Sequence, residues 1–228
     1  MPAPQDEDGA MANLEAEERA QFMMRLRARG IRDLRLLRAL ERAPRALFMP
    51  QRYSDIAARD IALPIGCGQT APPPSVVAAM IEALAPAPGW KVLEVGAGTG
   101  YAAALLAQLA GEVVSLERIQ TLALEAAARL EAFGVANVRV VWADALAFDP
   151  GDERFDGVLV HGVVEAPARR LTGLLAEGGS LVAAVADPGS GEQRILRLTR
   201  KKGGEIVASV HGAARALTPL AEGLSRGL

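Results

Sequence analysis

The stretch KVLEVGAGTGY, residues 91–101, limits what this chain can fold into more than any other segment. An apolar strand pattern runs directly into Gly96, Gly98 and Gly100 and then into a helical pattern. Glycines at a strand-to-helix turn permit backbone angles closed to other residues and let a ligand approach the main-chain amides. Turns of this kind belong to parallel sheets covered by helices, and the downstream sequence keeps that rhythm. It predicts strand Lys91–Val95, helix Tyr101–Leu109, strand Val113–Leu116, helix Ile119–Phe133 and strand Val138–Trp142. Strand Gly157–Val160, helix Glu165–Leu175 and strand Ser180–Val185 complete the alternation. Gln193–Thr199 and Glu205–His211 then alternate apolar and polar residues around Lys201-Lys202-Gly203-Gly204, which predicts an antiparallel hairpin at the edge. The predicted fold class is α/β: a doubly wound, mostly parallel, Rossmann-like sheet with N-terminal helices and an antiparallel C-terminal edge.

Upstream, residues 1–12 carry Pro, Gly and Asp with no apolar period and read as a disordered lead. Leu14–Arg29 and Asp33–Arg42 place apolar residues at helical spacing, with Gly30 between them and Pro44 closing the second. Their many arginines are offset by Glu15, Glu17, Glu18 and Asp33 and read as a solvated face. The proline-rich stretch Ile61–Pro74 predicts a rigid extended loop rather than strand or helix, followed by helix Ser75–Leu84. The chain thus divides into a helical subdomain with its loop, residues 13–74, and a main domain, residues 75–228.

Composition excludes several function classes. Half of the 228 residues are hydrophobic, enough for one substantial core, and the formal charge of -2 provides no field that would draw nucleic acid. Cys67 is the only cysteine, so no internal disulfide or cysteine metal cage forms, and His161 and His211 add little to a metal case. No window reaches the ~18 uncharged apolar residues of a membrane span. The acidic, polar opening lacks the pattern of a secretory leader, so the expected location is the cytoplasm.

The glycine loop implies a nucleotide-like ligand, and its spacing bears on which one. The dinucleotide fingerprint is G-x-G-x-x-G, with a pyrophosphate at the helix start. Here the pattern is G-x-G-x-G preceded by Glu94, and a carboxylate beside the loop suits a cationic ligand better than a pyrophosphate. S-adenosylmethionine, with an ammonium and a sulfonium, fits; an NAD-type site is the alternative. Glu117, at the end of the apolar run VVSL, can accept both ribose hydroxyls, and Asp144, after VRVVW, can accept the adenine amino group.

Several segments together resemble the protein-L-isoaspartate O-methyltransferases. Residues 30–50, GIRDLRLLRALERAPRALFMP, are similar to that family's N-terminal helical signature, and DIALPIGCGQT, residues 60–70, to its substrate-side loop. KVLEVGAGTGY resembles its donor motif, FDGVLVHG its fourth strand, and LTPLAEG, residues 217–223, its C-terminal segment. The resemblance implies methyl transfer from S-adenosylmethionine to the α-carboxylate of isoaspartyl residues in damaged proteins. It places Gln69 and Thr70 near the reacting methyl. The donor-binding candidates are then Gln69, Glu94, Gly96, Ala97, Gly98, Gly100, Glu117, Asp144, Ala145 and His161, with Thr70 as catalytic candidate and Ala71 and Pro72 on the substrate loop.

The chain departs from the family at Pro72, where the family carries an active-site serine, and at His161-Gly162-Val163 and Asp144-Ala145. Proline offers neither a hydroxyl nor an amide donor. An isoaspartyl α-carboxylate is ionised at neutral pH, so its methylation requires alignment and exclusion of water rather than a strong base. Thr70 either positions that carboxylate or bonds to its own turn. His161 either faces the donor or packs, Cys67 carries no assigned chemistry, and the proline run stiffens its loop. Three readings follow: isoaspartyl repair, a methyltransferase with another acceptor, and a donor-binding protein without catalysis.

Overall fold

The computed structural model describes residues 17, 19–166 and 168–227. The expected disordered lead and the start of the first helix lie outside them. Helix α1, residues 19–28, ends at Gly30, whose φ of +99° closes the turn. Helix α2 (Leu34–Arg42) starts at Asp33, whose carboxylate accepts from the Arg35 amide at 2.8 Å and the Leu36 amide at 3.4 Å. It buries Leu36, Leu37, Ala39 and Leu40. Two 3₁₀ turns, Arg45–Phe48 and Gln51–Ile56, then lead to the extended segment.

That segment is not a plain loop. Strand β1 (Leu63–Pro64) pairs antiparallel with β2 (Thr70–Ala71). Cys67 and Gly68 both have positive φ, the pattern of a type I′ hairpin turn. Prolines led the expectation away from a ladder, but Pro64 and Pro72 flank the turn, whose bonds run from the Ile65 amide to Gln69 and from the Gln69 amide to Gly66. Helix α3 (Pro74–Leu84) follows with Pro74 in its first turn, where no amide is needed.

The main sheet has seven strands in the order β5-β4-β3-β6-β7-β8-β9. They are β3 (Lys91–Val95), β4 (Glu112–Glu117), β5 (Val138–Trp142), β6 (Phe155–Val163), β7 (Leu175–Ala186), β8 (Gln193–Arg200) and β9 (Ile206–Ala214). Strands β3 to β7 are parallel, and β8 and β9 continue antiparallel. Helices α4 (Tyr101–Ala107) and α5 (Gln120–Phe133) sit where the apolar periodicity predicts.

The expected helix Glu165–Leu175 shrinks to α6 (Arg169–Thr172). The sheet claims its C-terminal end, where Leu175 pairs with Phe155, and holds the residue before its start, where the Val164 amide bonds to Ala184. Ala168, at φ +50°, turns the chain between them.

Strand alternation splits the core. Val92, Val113, Leu159 and Val182 face a cluster that includes Leu36, Leu40, Met80, Ile81 and Leu105. Leu93, Val114, Val158 and Leu181 face the other cluster with Leu171 and Leu174. Phe48, fully buried, packs its ring 5.7 Å from Tyr101 and 5.4 Å from Phe133, which fastens the N-terminal segment to α4 and α5.

Candidate functional site

In an open α/β sheet, ligands bind beyond the strands' C-terminal ends, where the order reverses. Here that point is β3, with β4 on one side and β6 on the other. The Gly96 and Ala97 amides both bond to Leu116 O, at 2.8 and 3.1 Å, which folds the glycine loop back over the strand edge. Gly98 and Gly100 have φ of +55° and +86°, and a Cβ on Gly100 would lie 3.3 Å from both Ala126 O and Leu130 Cγ.

Two cavities meet at this edge. One, of about 100 Å³, is lined by Thr70, Ala71 and Pro72 of the substrate loop and by Ala97, Gly98 and Tyr101 of the glycine loop and α4. The second, of about 90 Å³, is lined by Asp144, Ala145 and Arg118. Both include Gln69, Gly96, Glu117, His161 and Thr218 in their walls. The structure therefore brings together most of the sequence-derived candidates from five separate segments. Gly100 lines neither cavity; it shapes the turn.

Glu117 is 6 % exposed. Its Oε2 accepts from the Gly98 amide at 2.9 Å and its Oε1 from the Ile119 amide at 3.0 Å. Asp144 accepts from the Leu146 amide at 2.9 Å and from the Gly223 amide at 2.7 Å. Glu94 differs: it is fully buried behind the loop and lines neither cavity. Its carboxylate accepts from Ser115 Oγ at 2.5 Å and lies 3.0 Å from His161 Nε2. His161 thus both packs against Glu94 and contributes to the cavity walls. Thr70 is exposed on β2, and among the described residues its hydroxyl makes no bond to its own loop.

Two further parts of the site were not foreseen. The C-terminal segment 217–227 crosses the ends of β6, β5 and β4 as a strap. It exchanges main-chain bonds with Val163, Arg118 and Gln120, and Arg118 Nη1 donates to Gly223 O at 3.1 Å. Arg45 is 3 % exposed in the wall of the first cavity. Its Nη1 donates to Ala57 O and Ile61 O at 3.1 and 3.3 Å, and its Nη2 to Ala71 O and Pro72 O at 3.5 and 2.8 Å. Burial lowers its pKa to about 10, which leaves it protonated at neutral pH, and burial raises that of the Tyr101 phenol. An arginine inside the otherwise apolar run APRALFMP was the available signal.

Among the described residues no helix is long and apolar enough to cross a membrane, and no group of three or more potential metal ligands occurs.

The sequence pattern of the family described as protein-L-isoaspartate(D-aspartate) O-methyltransferase (PCMT) matches residues 17–223. The chain is 45% identical over 187 residues to protein-L-isoaspartate O-methyltransferase 2 of Rhodopseudomonas palustris (strain HaA2), covering 82% of this chain and 86% of that protein. It is 48% identical over 174 residues to a protein-L-isoaspartate O-methyltransferase of Methylorubrum populi, covering 76% and 81%. Its fold is similar to the crystal structure of a Plasmodium falciparum protein described as a putative protein-L-isoaspartate O-methyltransferase in complex with S-adenosyl-L-homocysteine, with a TM-score of 0.75, 20% identity and coverage of 88% and 97%. By the extent of the family match and the identity of its relatives, the chain belongs to the protein-L-isoaspartate(D-aspartate) O-methyltransferase family.

Proposed function

We propose that this protein transfers a methyl group from S-adenosylmethionine to the α-carboxylate of L-isoaspartyl residues in damaged proteins. The observation that carries the reading is that the substrate loop and the glycine loop line one and the same cavity, with Gln69 and Glu117 shared by its neighbour. On this reading Glu117 receives the ribose hydroxyls. Asp144 and Ala145 flank the adenine, while Gly96, Ala97 and Gly98 admit the methionyl part. Thr70 orients the acceptor carboxylate, and Ala71 and Pro72 complete its wall.

Displacement at a methyl carbon by an ionised carboxylate needs no proton transfer. Bond formation to the carboxylate oxygen and departure of the thioether leave two opposite charges neutralised. Alignment and exclusion of water supply the acceleration, on the order of 7–11 kcal/mol where geometry is good.

Pro72 supports a second reading, a methyltransferase with another carboxylate acceptor, because it lines the cavity where the family carries a serine. Labelled S-adenosylmethionine with an isoaspartyl peptide, the matching aspartyl peptide and a panel of small acids decides between them. Label on the isoaspartyl peptide alone is expected. Label only on a small acid selects the second reading.

A further inference from the structure

Among the described residues, the buried side-chain nitrogens and oxygens without a partner are Arg45 Nε, the Tyr101 hydroxyl, Arg129 Nη1 and His161 Nδ1. Three of these four residues line the first cavity. Orphaned buried polar atoms are costly, and three of them belong to residues around one cavity, where a bound group can complete them.

Two of the three have unambiguous chemistry. The Arg45 Nε–H only donates, and a phenol held protonated by its burial offers its hydrogen. Arg45 directs its Nη groups wholly to carbonyls, so no protein carboxylate touches its charge. Asp60, the acid whose charge bears on it, bonds instead to the Ser75 amide, Arg29 and Arg215. A buried cation and a hydroxyl with nothing to donate to call for an anionic, acceptor-only group. A carboxylate is such a group. The same guanidinium pins Pro72 O, in the segment where proline itself has no donor to offer.

We propose that Arg45 and Tyr101 form the carboxylate-selecting wall of the acceptor cavity: Arg45 supplies the charge that favours an anionic acceptor and fixes the Ala71–Pro72 backbone, and the Tyr101 hydroxyl donates to the bound carboxylate. This assignment rests on the reading that the acceptor is a carboxylate. Arg45 selects by its charge and positions through the Ala71–Pro72 loop that it braces.

The test reads binding, with kcat as a second readout for Arg45→Lys. An isoaspartyl peptide and the same peptide with that α-carboxylate replaced by a carboxamide are titrated by fluorescence anisotropy with S-adenosylhomocysteine present. The proteins are wild type, Tyr101→Phe and Arg45→Lys. Phenylalanine removes a hydroxyl without a protein partner, so the fold stands, and S-adenosylhomocysteine affinity reports that it does. Wild type is expected to prefer the carboxylate. Tyr101→Phe is expected to lose about 10-fold or more of that preference, the weight of one hydrogen bond to a charged group. Arg45→Lys keeps a cation that cannot span four carbonyls, so it is expected to keep the preference while kcat falls. A preference unchanged in Tyr101→Phe, or abolished in Arg45→Lys despite the retained charge, overturns the assignment. No preference in wild type overturns the carboxylate acceptor itself, and this assignment with it.

Discussion

Glu94 and Glu117 stand on neighbouring strands of one sheet and have opposite surroundings. Register explains the difference: Glu94 lies beside Ser115 in the β3–β4 ladder, inside the sheet, whereas Glu117 is the last residue of β4 and meets the glycine loop. The sequence reading placed both carboxylates at the ligand because a motif records spacing along the chain and not the depth of each position within the sheet. Replacing Glu117 with Ala is expected to weaken donor binding by roughly 10- to 100-fold, the loss of hydrogen bonds to a charged acceptor, as isothermal titration would measure. Thr70→Val is expected to lower kcat/KM for an isoaspartyl peptide by a similar factor, roughly 10- to 100-fold, with donor affinity unchanged. Undiminished turnover would remove Thr70 from the acceptor's contacts.

At the scale of elements, what was legible was local. Strands β3 and β5 fall at their predicted ends because each is a short apolar run bounded by turn residues. The β1–β2 hairpin was hidden because its left-handed turn uses Cys67 and Gly68 in place of Asn-Gly. The contraction of α6 was hidden because pairing with distant Phe155 and Ala184 sets its limits. The strap was hidden for the same reason: nothing in LTPLAEG reports that Asp144 will hold Gly223. The β3–α4 turn offers the sharpest test of an element. Gly100→Ala places a Cβ at φ +86° and 3.3 Å from the Ala126 carbonyl. It is expected to cost on the order of 1–3 kcal/mol in denaturant unfolding.

At the scale of the molecule, Asp60 joins parts that are far apart in sequence. Its carboxylate accepts from the Ser75 amide at the start of α3 and bonds Arg29 at 3.3 Å, just beyond α1, and Arg215 at 2.6 Å, just beyond β9. Burial alone would raise its pKa. The Ser75 bonds and the Arg215 guanidinium outweigh burial and hold it below the ordinary 3.8. A carboxyl with a folded-state pKa below its unfolded value adds stability in full above the unfolded pKa, and that stability is lost as pH falls through the folded value. Asp33 and Asp187 are depressed as well, so acid destabilisation is shared. Asp60→Asn should therefore melt lower than wild type at pH 7, and the gap should narrow as pH falls below about 3.8. Melting curves across that range check the sign, and a gap independent of pH would mean that Asp60 acts by shape alone. Because the clamp reaches the segment that leads into the strap and the loop that precedes Thr70, its loss should also loosen both walls of the site. Donor affinity at neutral pH should weaken in Asp60→Asn although no atom of Asp60 lines either cavity.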